Sequence, residues 1–481
     1  MGLKKTSTDQ TSDPKKRRRV GFASTGDLIL NQALSFDVGV EANDCIKIYL
    51  VSCKEELGDE NSFVVDPIDL NQFFGDDGRI YGYKNLKVKV WLSSISFRAY
   101  VQVSYDTKAD GGKGITLLTP ALEKIFGESI IEKEDEFRQS FSTESHYIKA
   151  VISNGEVMRC EATTKHNNVS NNQLESEAFT IEHQVIRMGL NNMPVGELYS
   201  RLVSLVLLLV DGCSPLDITD PRWEIYFVVE KKTVPQADVS IKLLGFAIIY
   251  RFFHYPDSSR LRISQILVLP PCQGQGHGRH LLEVINSVSI SENMYDMTVE
   301  EPSDELQQVR TCIDVLRLLA FEPIKLTITS ISSKMKHGKL SKMTYKVQFD
   351  PPENVIEDVR KTLKINKKQF LQCWEILIYL NLDPNDCSSM DNYRLVILER
   401  TRANILGKDS GSAGKQIIEV PNDYDHEMTF VMFGPKGRIQ NTTEGETEET
   451  KTNREQQLRE LSEERMKEIM QVAEKVSLLR V

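Results

Sequence analysis

The sequence predicts a mixed α/β protein of the α+β kind, with a strand-rich N-terminal domain, a central domain built on a mostly antiparallel sheet, and a helical C-terminal domain. Three observations predict this fold class. Apolar and polar residues alternate from Cys45 onward, a period typical of strands. Three strand-like segments with short connections follow at residues 223–230, 242–250 and 260–269, which favours an antiparallel meander. Residues 354–406 have a helical pattern.

Length and shifts in composition divide the chain into four parts. With 481 residues, the chain is long enough for about three folded domains. We predict a leader over residues 1–40, an N-terminal domain over 41–160, a central domain over 161–325 and a mainly helical domain over 326–481. A hydrophobic content of 40% with ordinary Gly and Pro counts excludes a collagen-like or low-complexity protein.

Charge is unevenly distributed along the chain. The formal net charge is -10, yet residues 1–20 hold seven Lys or Arg and two Asp, so the rest of the chain carries -15. An acidic body argues against a broad nucleic-acid surface, which needs clustered Lys and Arg, and it suits a basic partner. The longest apolar run, residues 205–210, is far below the ~18 residues of a membrane span. We therefore expect a basic protein substrate, and neither direct nucleic-acid binding nor membrane binding.

The leader carries a dense basic run. Residues 14–20 read Pro-Lys-Lys-Arg-Arg-Arg-Val, with five consecutive cations and no apolar face. Such a run is typical of nuclear import signals, and the alternative is a solvated basic tail. We expect the protein in the nucleus and the cytoplasm.

The eight cysteines form no disulfide or zinc pattern. None stands in a C-x-x-C pair or beside His at zinc-ligand spacing. We expect reduced thiols, an intracellular protein and no metal.

The central domain alternates strands and helices. An apolar helix predicted over residues 196–210 precedes the three strands and is expected to pack on a sheet. The third strand stops at Pro270-Pro271, and a glycine loop then opens an amphipathic helix. A further strand over residues 294–300 leads to a helix for which Ser303 is the predicted N-cap.

The last part of the chain is charged. Five lysines between residues 334 and 346 indicate a solvated loop or strand edge, with a nucleic-acid patch as the less favoured alternative. Residues 454–481 form a charged helix whose apolar face, with Ile469, Val472 and Val476, suits packing or a partner groove.

The loop over residues 273–278, which reads Q-G-Q-G-H-G, lies between a strand and a helix. Glycines let backbone N–H groups approach a ligand closely, and a helix N-terminus offers unpaired donors and partial positive charge. This arrangement predicts a site for a pyrophosphate. A glycine-rich turn without a ligand is the alternative.

The spacing of the glycines distinguishes between the classes of phosphate-containing ligand that such a loop binds. The G-x-x-x-x-G-K-[ST] pattern of P-loop nucleotidases is missing. A dinucleotide-binding fold needs G-x-G-x-x-G after a parallel strand, whereas this loop reads G-x-G-x-G after an antiparallel meander. Glu300 lies near the expected ribose-binding distance of about 20 residues, so a nucleotide-dependent oxidoreductase stays open here.

The loop also fits the pattern Q/R-x-x-G-x-G/A, with Gln273, Gly276 and Gly278 at its fixed positions. It resembles the acetyl-coenzyme A loop of the GNAT superfamily of N-acetyltransferases. The surrounding segments are similar to the catalytic core of type B histone acetyltransferases. These segments are S-Q-I-L-V-L (264–269), L-L-E (281–283), E-E-P-S (300–303), F-G-D-D (74–77), Y-G-Y-K (81–84), R-W (222–223), K-I-N-K (364–367) and W-E-I-L (374–377).

The resemblance implies a central GNAT domain that binds acetyl-coenzyme A as cosubstrate, and an N-terminal domain that binds the substrate. It places Ile266, Leu267 and Val268 beside the acetyl group and the pantetheine arm, where a backbone N–H would face the thioester carbonyl. The implied loop contacts are Gln273, Gly274, Gln275, Gly276, His277, Gly278 and Arg279.

Acetyl transfer to lysine needs a base, because the lysine ammonium, with a pKa of about 10.4, has no lone pair until it loses a proton. The resemblance implies that Glu300 is this base. Glu301 stands where the family motif E-D-P-S has Asp, so both carboxylates are candidates. We expect direct attack by the amine in a ternary complex.

For a histone tail as substrate, the resemblance points to acidic and aromatic side chains. Acids pair with a basic tail and aromatic rings contact a lysine stem. The implied residues are Asp76, Asp77, Trp223, Tyr250, Arg251 and Phe252. The alternative for the three aromatic residues is a place in the core.

Three functions are thus open. The first is a type B histone acetyltransferase that acts on lysines of free, newly made histone, chiefly the histone-four tail, and for which the family implies a WD-repeat histone-binding subunit as partner. The second is the oxidoreductase. The third is a catalytically silent histone-binding adaptor, which the acidic body also allows.

Overall fold

The computed structural model describes residues 39–59, 62–75, 77–109, 114–166, 178–234, 238–335, 349–406 and 448–480. The predicted import signal, Asp76 and the lysines from 336 to 346 lie outside the described residues. The chain divides into two compact units, one of Met1–Ser145 with Ser200–Pro215 and one of His146–Tyr199 with Leu216–Val481. The division into a leader and three domains given above stays a prediction.

The first unit is rich in strands. They are β1 (Val40–Glu41), β2 (Ile46–Val51), β3 (Phe63–Val65), β4 (Arg79–Ile80), β5 (Tyr83–Lys84), β6 (Lys87–Ser93), β7 (Ala99–Ser104), β8 (Thr107–Lys108) and β9 (Ile130–Ile131). One five-stranded sheet has the order β3-β2-β6-β7-β9, and β1-β4 and β5-β8 form two small ladders. The helices are α1 (Ala42–Cys45), α2 (Leu118–Phe126) and α3 (Glu134–Thr143).

Aromatic packing stabilises this sheet. Tyr49 of β2 and Trp91 of β6 are register partners, and their rings stack with centroids 4.5 Å apart. Phe137 and Phe141, one turn apart on α3, lie in the same buried cluster. The apolar period of these segments therefore corresponds to one shared core.

The second unit contains the predicted meander. Its strands are β10 (Glu156–His166), β11 (Ala178–Gly189), β12 (Trp223–Thr233), β13 (Ser240–His254), β14 (Ser258–Val268) and β15 (Met297–Val299), hydrogen-bonded in that order. Neighbours are antiparallel up to β14, and β15 is parallel to β14. The predicted fold class is confirmed. The strand expected over residues 294–300 is present but shorter, as β15 (Met297–Val299).

The remaining helices belong to the second unit, except that the part of α5 from Ser200 onward belongs to the first. They are α4 (Tyr147–Ile152), α5 (Met193–Leu209), α6 (His277–Ser291), α7 (Asp304–Leu319), α8 (Glu322–Met335), α9 (Glu353–Leu363), α10 (Lys367–Leu380), α11 (Cys387–Leu406) and α12 (Glu448–Leu479). Leu281 and Ile285 of α6 are buried against the sheet. Ser303 caps α7, as predicted, by accepting a bond from the N–H of Leu306. Ile469 and Val476 of α12 are buried among the other C-terminal helices.

The segment between α9 and α10 covers the outer edge of the sheet. Ile365 forms a parallel bridge with Met297 of β15, and the Met297 N–H donates to the Lys364 carbonyl at 2.9 Å. The Asn366 Nδ2 donates to the Met297 carbonyl at 3.0 Å, while its Oδ1 accepts from the Gln369 N–H at 3.0 Å and so caps α10. The short strand β15 therefore has hydrogen-bonding partners on both sides.

We predict that Asn366→Ala lowers the free energy of unfolding of the second unit by about 1–2 kcal/mol, because it removes a helix cap and a bond to β15. Asn366→Asp keeps the cap acceptor and loses only the donor, so it should fall between Ala and the wild type. Differential scanning calorimetry of the three proteins measures the order, and equal stability of the Ala and Asp variants would contradict the capping role.

Candidate active site

One extra residue interrupts the regular pairing of β14. Ile263 pairs with Ile249 of β13 and Gln265 pairs with Ile248, so Ser264 is a β-bulge between them. Beyond the bulge, the Leu269 N–H donates to the Leu244 carbonyl of β13 at 2.8 Å. Backbone groups of a strand alternate in direction, so the Leu267 N–H also faces β13. Those of Ile266 and Val268 face the opposite side.

On that opposite side, the pairing with β15 has already ended. β15 pairs with β14 only at Leu261–Ile263, and the Glu300 N–H makes a last bond to the Ile263 carbonyl at 2.9 Å. No strand of the described residues pairs there with residues 264–268. The N–H groups of Ile266 and Val268 therefore line an opening between two strands, as donors for a ligand. We call this opening the strand gap.

The glycine loop presents a second set of backbone donors. Gly274 and Gly276 have φ angles of 73° and 91°, in the left-handed region that favours glycine. A Cβ built at either position would meet no atom within 4 Å, so both face open space. Gly276 is the N-cap of α6 and has no side chain to satisfy the first N–H groups of the helix. Those groups, at the positive end of the helix dipole, fit a pyrophosphate.

The two glutamines of the loop bind its own backbone. The Gln273 Nε2 donates to the Val268 carbonyl at 3.0 Å, and the Gln275 Nε2 donates to the Pro271 carbonyl at 3.2 Å. The Arg279 guanidinium is paired with Glu283 at 2.7 Å and is 40% exposed. The glutamine side chains thus fix the shape of the loop, and Arg279 adds positive charge beside it.

Histidines are buried behind the loop. His277 and His280 are 7% and 8% exposed, and the His277 ring lies 5.3 Å from that of His183. Burial lowers the pKa of both His277 and His280, and the neighbouring histidines lower that of His277 further. His277 therefore contributes a neutral ring to the core and a backbone N–H to the loop.

Glu300 lies at the edge of the strand gap. Its Oε2 accepts a hydrogen bond from the Ser264 Oγ at 3.0 Å, and its Oε1 lies 3.9 Å from the Arg262 guanidinium. The side chain is 48% exposed, so an incoming amine can reach the carboxylate. Glu301 is also exposed, but its φ of 31° turns the chain away from the strand, and within the described residues its carboxylate makes no hydrogen bond to β14. Of the two carboxylates, only that of Glu300 is thus held against β14.

Three predicted substrate residues form one row across the sheet. The Tyr250 ring lies 4.5 Å from both the Trp223 and the Phe252 rings. Tyr250 is the register partner of Trp223 on β12 and of Arg262 on β14, so the row leads toward Glu300. Phe252 is 36% exposed, which leaves apolar surface for a ligand. We call these three side chains the aromatic row.

Arg251 lies between Tyr250 and Phe252 on β13. Because successive residues of a strand point to opposite faces of the sheet, its side chain is on the face opposite the aromatic row. Its guanidinium pairs with Glu224 at 2.6 Å and with Glu292 at 2.6 Å, and Arg187 pairs with the same two carboxylates. The structure therefore does not bring Arg251 together with the aromatic row.

Asp77 belongs to the first unit and is exposed. Its carboxylate accepts hydrogen bonds from the Tyr81 hydroxyl and, at 3.1 Å, from the Arg79 N–H. The bond from Tyr81 lowers the pKa of Asp77, so the group is a stable anion at neutral pH.

Sequence reasoning did not identify Ser264, Arg262 or Asp220. The Tyr250 hydroxyl donates to Asp220 at 3.0 Å, so this carboxylate fixes the centre of the aromatic row. A polar alternation along β14 was the available signal for Arg262, whereas a bulge becomes visible only when the partner strand is known.

Histone acetyltransferases of several organisms are similar to this chain. Residues 38–211 match the family model described as histone acetyl transferase HAT1 N-terminus. The type B histone acetyltransferase catalytic subunit of Arabidopsis thaliana is 49% identical over 466 residues, 97% of this chain and 96% of that protein. The Zea mays subunit is 46% identical over 483 residues, with 99% and 97% covered, and that of Mus musculus is 26% identical over 395 residues, with 81% and 86% covered.

This chain belongs to the family of type B histone acetyltransferase catalytic subunits. It is therefore an enzyme of the acyltransferase class, and acetyl-coenzyme A is the cosubstrate that this class implies. Because the chain belongs to this family, the oxidoreductase hypothesis loses its support. A dinucleotide-binding fold would also need parallel strands before the glycine loop, where β13 and β14 are antiparallel.

Two features are absent from the described ranges. These ranges contain no group of three His, Cys, Asp or Glu side chains suited to a metal ion. No helix within them combines the length and apolarity needed to cross a bilayer.

We predict that Gly276→Ala weakens acetyl-coenzyme A binding about tenfold, because a Cβ strains the left-handed backbone by about 1–2 kcal/mol and shifts the first turn of α6. Gly58→Ala is the matched control, since Gly58 has a φ of 93° and open space as Gly276 does but lies outside the glycine loop. Isothermal titration calorimetry should find the control within about threefold of the wild type. Equal losses in both variants would contradict the role of the Gly276 backbone.

We also predict that acid destabilises the unliganded protein through the buried histidines. Their lowered pKa values mean that the unfolded chain binds protons more readily than the folded one. Stability is therefore retained above the unfolded value of about 6.5 and falls as the pH decreases below it. The midpoint of thermal unfolding should drop more steeply between pH 7.5 and 5.5 in the wild type than in His280→Gln, and equal slopes would contradict this.

Proposed function

We propose that the protein transfers the acetyl group of acetyl-coenzyme A to lysines of free, newly made histone, chiefly the histone-four tail, by direct attack in a ternary complex. The proposed mechanism rests on the position of Glu300 relative to the strand gap. Glu300 lies against β14 at Ser264, two residues before Ile266, whose N–H faces the strand gap. A proton acceptor and a donor for the carbonyl oxygen are thus supplied by neighbouring strands.

Each part of the site has one task in this mechanism. Bound acetyl-coenzyme A supplies the activated acyl group. The backbone of the glycine loop holds the pyrophosphate, and the N–H groups of Ile266 and Val268 bind and orient the acyl carbonyl and the pantetheine arm. Glu300 takes the proton from the lysine ammonium and frees the lone pair for attack on the acetyl carbonyl. As the C–N bond forms, the thioester C–S bond breaks, and coenzyme A leaves as the thiol with the second proton of the amine.

The charge and the aromatic residues support a basic peptide as substrate. The aromatic row offers apolar surface near Glu300 through the exposed part of Phe252. Asp77 of the first unit is an exposed anion. The net charge of -10 favours association with a basic partner.

We further propose a WD-repeat histone-binding subunit as partner, as the family resemblance implies, and a place in both nucleus and cytoplasm. The basic run at residues 14–20 supports nuclear import.

We predict that Glu300→Gln lowers the rate of acetyl transfer to free core histones at least about a hundredfold, because the amide cannot accept the lysine proton. Its affinity for acetyl-coenzyme A should equal that of the wild type. Transfer of radiolabelled acetyl and coenzyme binding are measured in parallel.

Glu301→Gln is the matched control, since it makes the same chemical change one residue away. It should keep most of the rate. If Glu301→Gln is instead the inactive variant, the base is misassigned by one residue. A wild-type protein that binds acetyl-coenzyme A and histone without transfer would favour the silent adaptor.

A further inference from the structure

We propose that Ser264 is a positioning residue for the general base: the bulge in β14 directs its hydroxyl to the Glu300 carboxylate and sets the orientation of that group. This inference rests on the proposed function, in which Glu300 takes the substrate proton. It is based on the hydrogen bond of 3.0 Å that the Ser264 Oγ donates to the Glu300 Oε2.

Glu300 is attached to the bulge at two points. Its backbone N–H donates to the carbonyl of Ile263, the residue before the bulge, at 2.9 Å. Its carboxylate binds the hydroxyl of the bulge residue itself. Because main chain and side chain are both fixed to adjacent residues of β14, the carboxylate has one defined position relative to the strand gap.

The bulge does not need the serine hydroxyl. Its geometry is set by backbone pairing, with Ile263 on Ile249 before the extra residue and Gln265 on Ile248 after it. The bond from the hydroxyl goes to a half-exposed carboxylate, where it adds little to folding. Because the bond from Ser264 to Glu300 adds little to stability, we infer that it serves the function of the carboxylate.

A competing partner explains why positioning is needed. The Arg262 guanidinium lies 3.9 Å from the other carboxylate oxygen, Oε1. It also lies 4.5 Å from the centroid of the Phe252 ring, which keeps it on the face of the aromatic row. Without the bond to Ser264, the carboxylate is free to turn toward Arg262 and form a closer ion pair. A carboxylate turned in this way no longer points at the incoming amine.

The test is a double-mutant cycle between Ser264 and Glu300. Ser264→Ala should lower kcat about tenfold and leave KM for acetyl-coenzyme A and for histone within about twofold, as expected for an interaction that matters in the transition state. Ser264→Thr keeps the hydroxyl on a residue suited to strands and should stay within about threefold of the wild type. The cycle is measured on the full chain at pH 9, where a larger share of lysine amines is neutral, so that measurable turnover is expected even in the Glu300→Gln background.

In the Glu300→Gln background, adding Ser264→Ala should cause no further loss, because the residue through which the hydroxyl acts is already changed. An equal loss in both backgrounds, or a Thr variant as impaired as the Ala variant, would overturn the positioning role while leaving Glu300 as the base. Wild-type rates in Glu300→Gln alone would instead overturn the proposed base, and the inference with it.

Discussion

The backbone alternation of β14 is the constraint on which the site depends. Before the bulge, Leu261 and Ile263 bond to β15; after it, Ile266 and Val268 face the same side although β15 has ended. Without the extra residue, the second half of the strand would present the opposite set of N–H groups to the gap. The insertion also keeps Ile266 and Val268 packed on the same core as Leu261 and Ile263. One residue therefore serves both packing and ligand binding.

Helix α6 is fixed at the end that does not meet the ligand. Glu292, directly after the helix, receives ion pairs at 2.6 Å from both Arg187 and Arg251, and these arginines also bind Glu224 of β12. Cations near a helix C-terminus are favourable because they oppose its partial negative charge. Apolar contacts along α6 and the ion pairs of Glu292 at its end hold the helix in place relative to the sheet, and therefore also its first turn. The glycine loop thus has a rigid support on both flanking elements.

Local patterns predicted the elements and the ligand loop, but the direction of single side chains required the strand register. Alternation and short turns predicted the strands β12, β13 and β14 but not β10 and β11, and the loop sequence predicted an anion site. The resemblance grouped Arg251 with Tyr250 and Phe252, although neighbours on a strand point to opposite faces, and the structure pairs it with Glu224. Gln273 matches the cofactor motif, yet its amide binds the Val268 carbonyl. A motif specifies which residues occur, whereas tertiary pairing decides which atoms reach the ligand.

The aromatic row limits which part of a lysine it can contact. The Arg222 guanidinium lies 4.8 Å from the Tyr250 centroid and that of Arg262 lies 4.5 Å from the Phe252 centroid. Each cation occupies a ring face that an ammonium would otherwise use. The row therefore suits the aliphatic stem of the lysine, through the exposed part of Phe252. The ammonium is left to the carboxylate of Glu300, the group that has to remove its proton before the amine can attack.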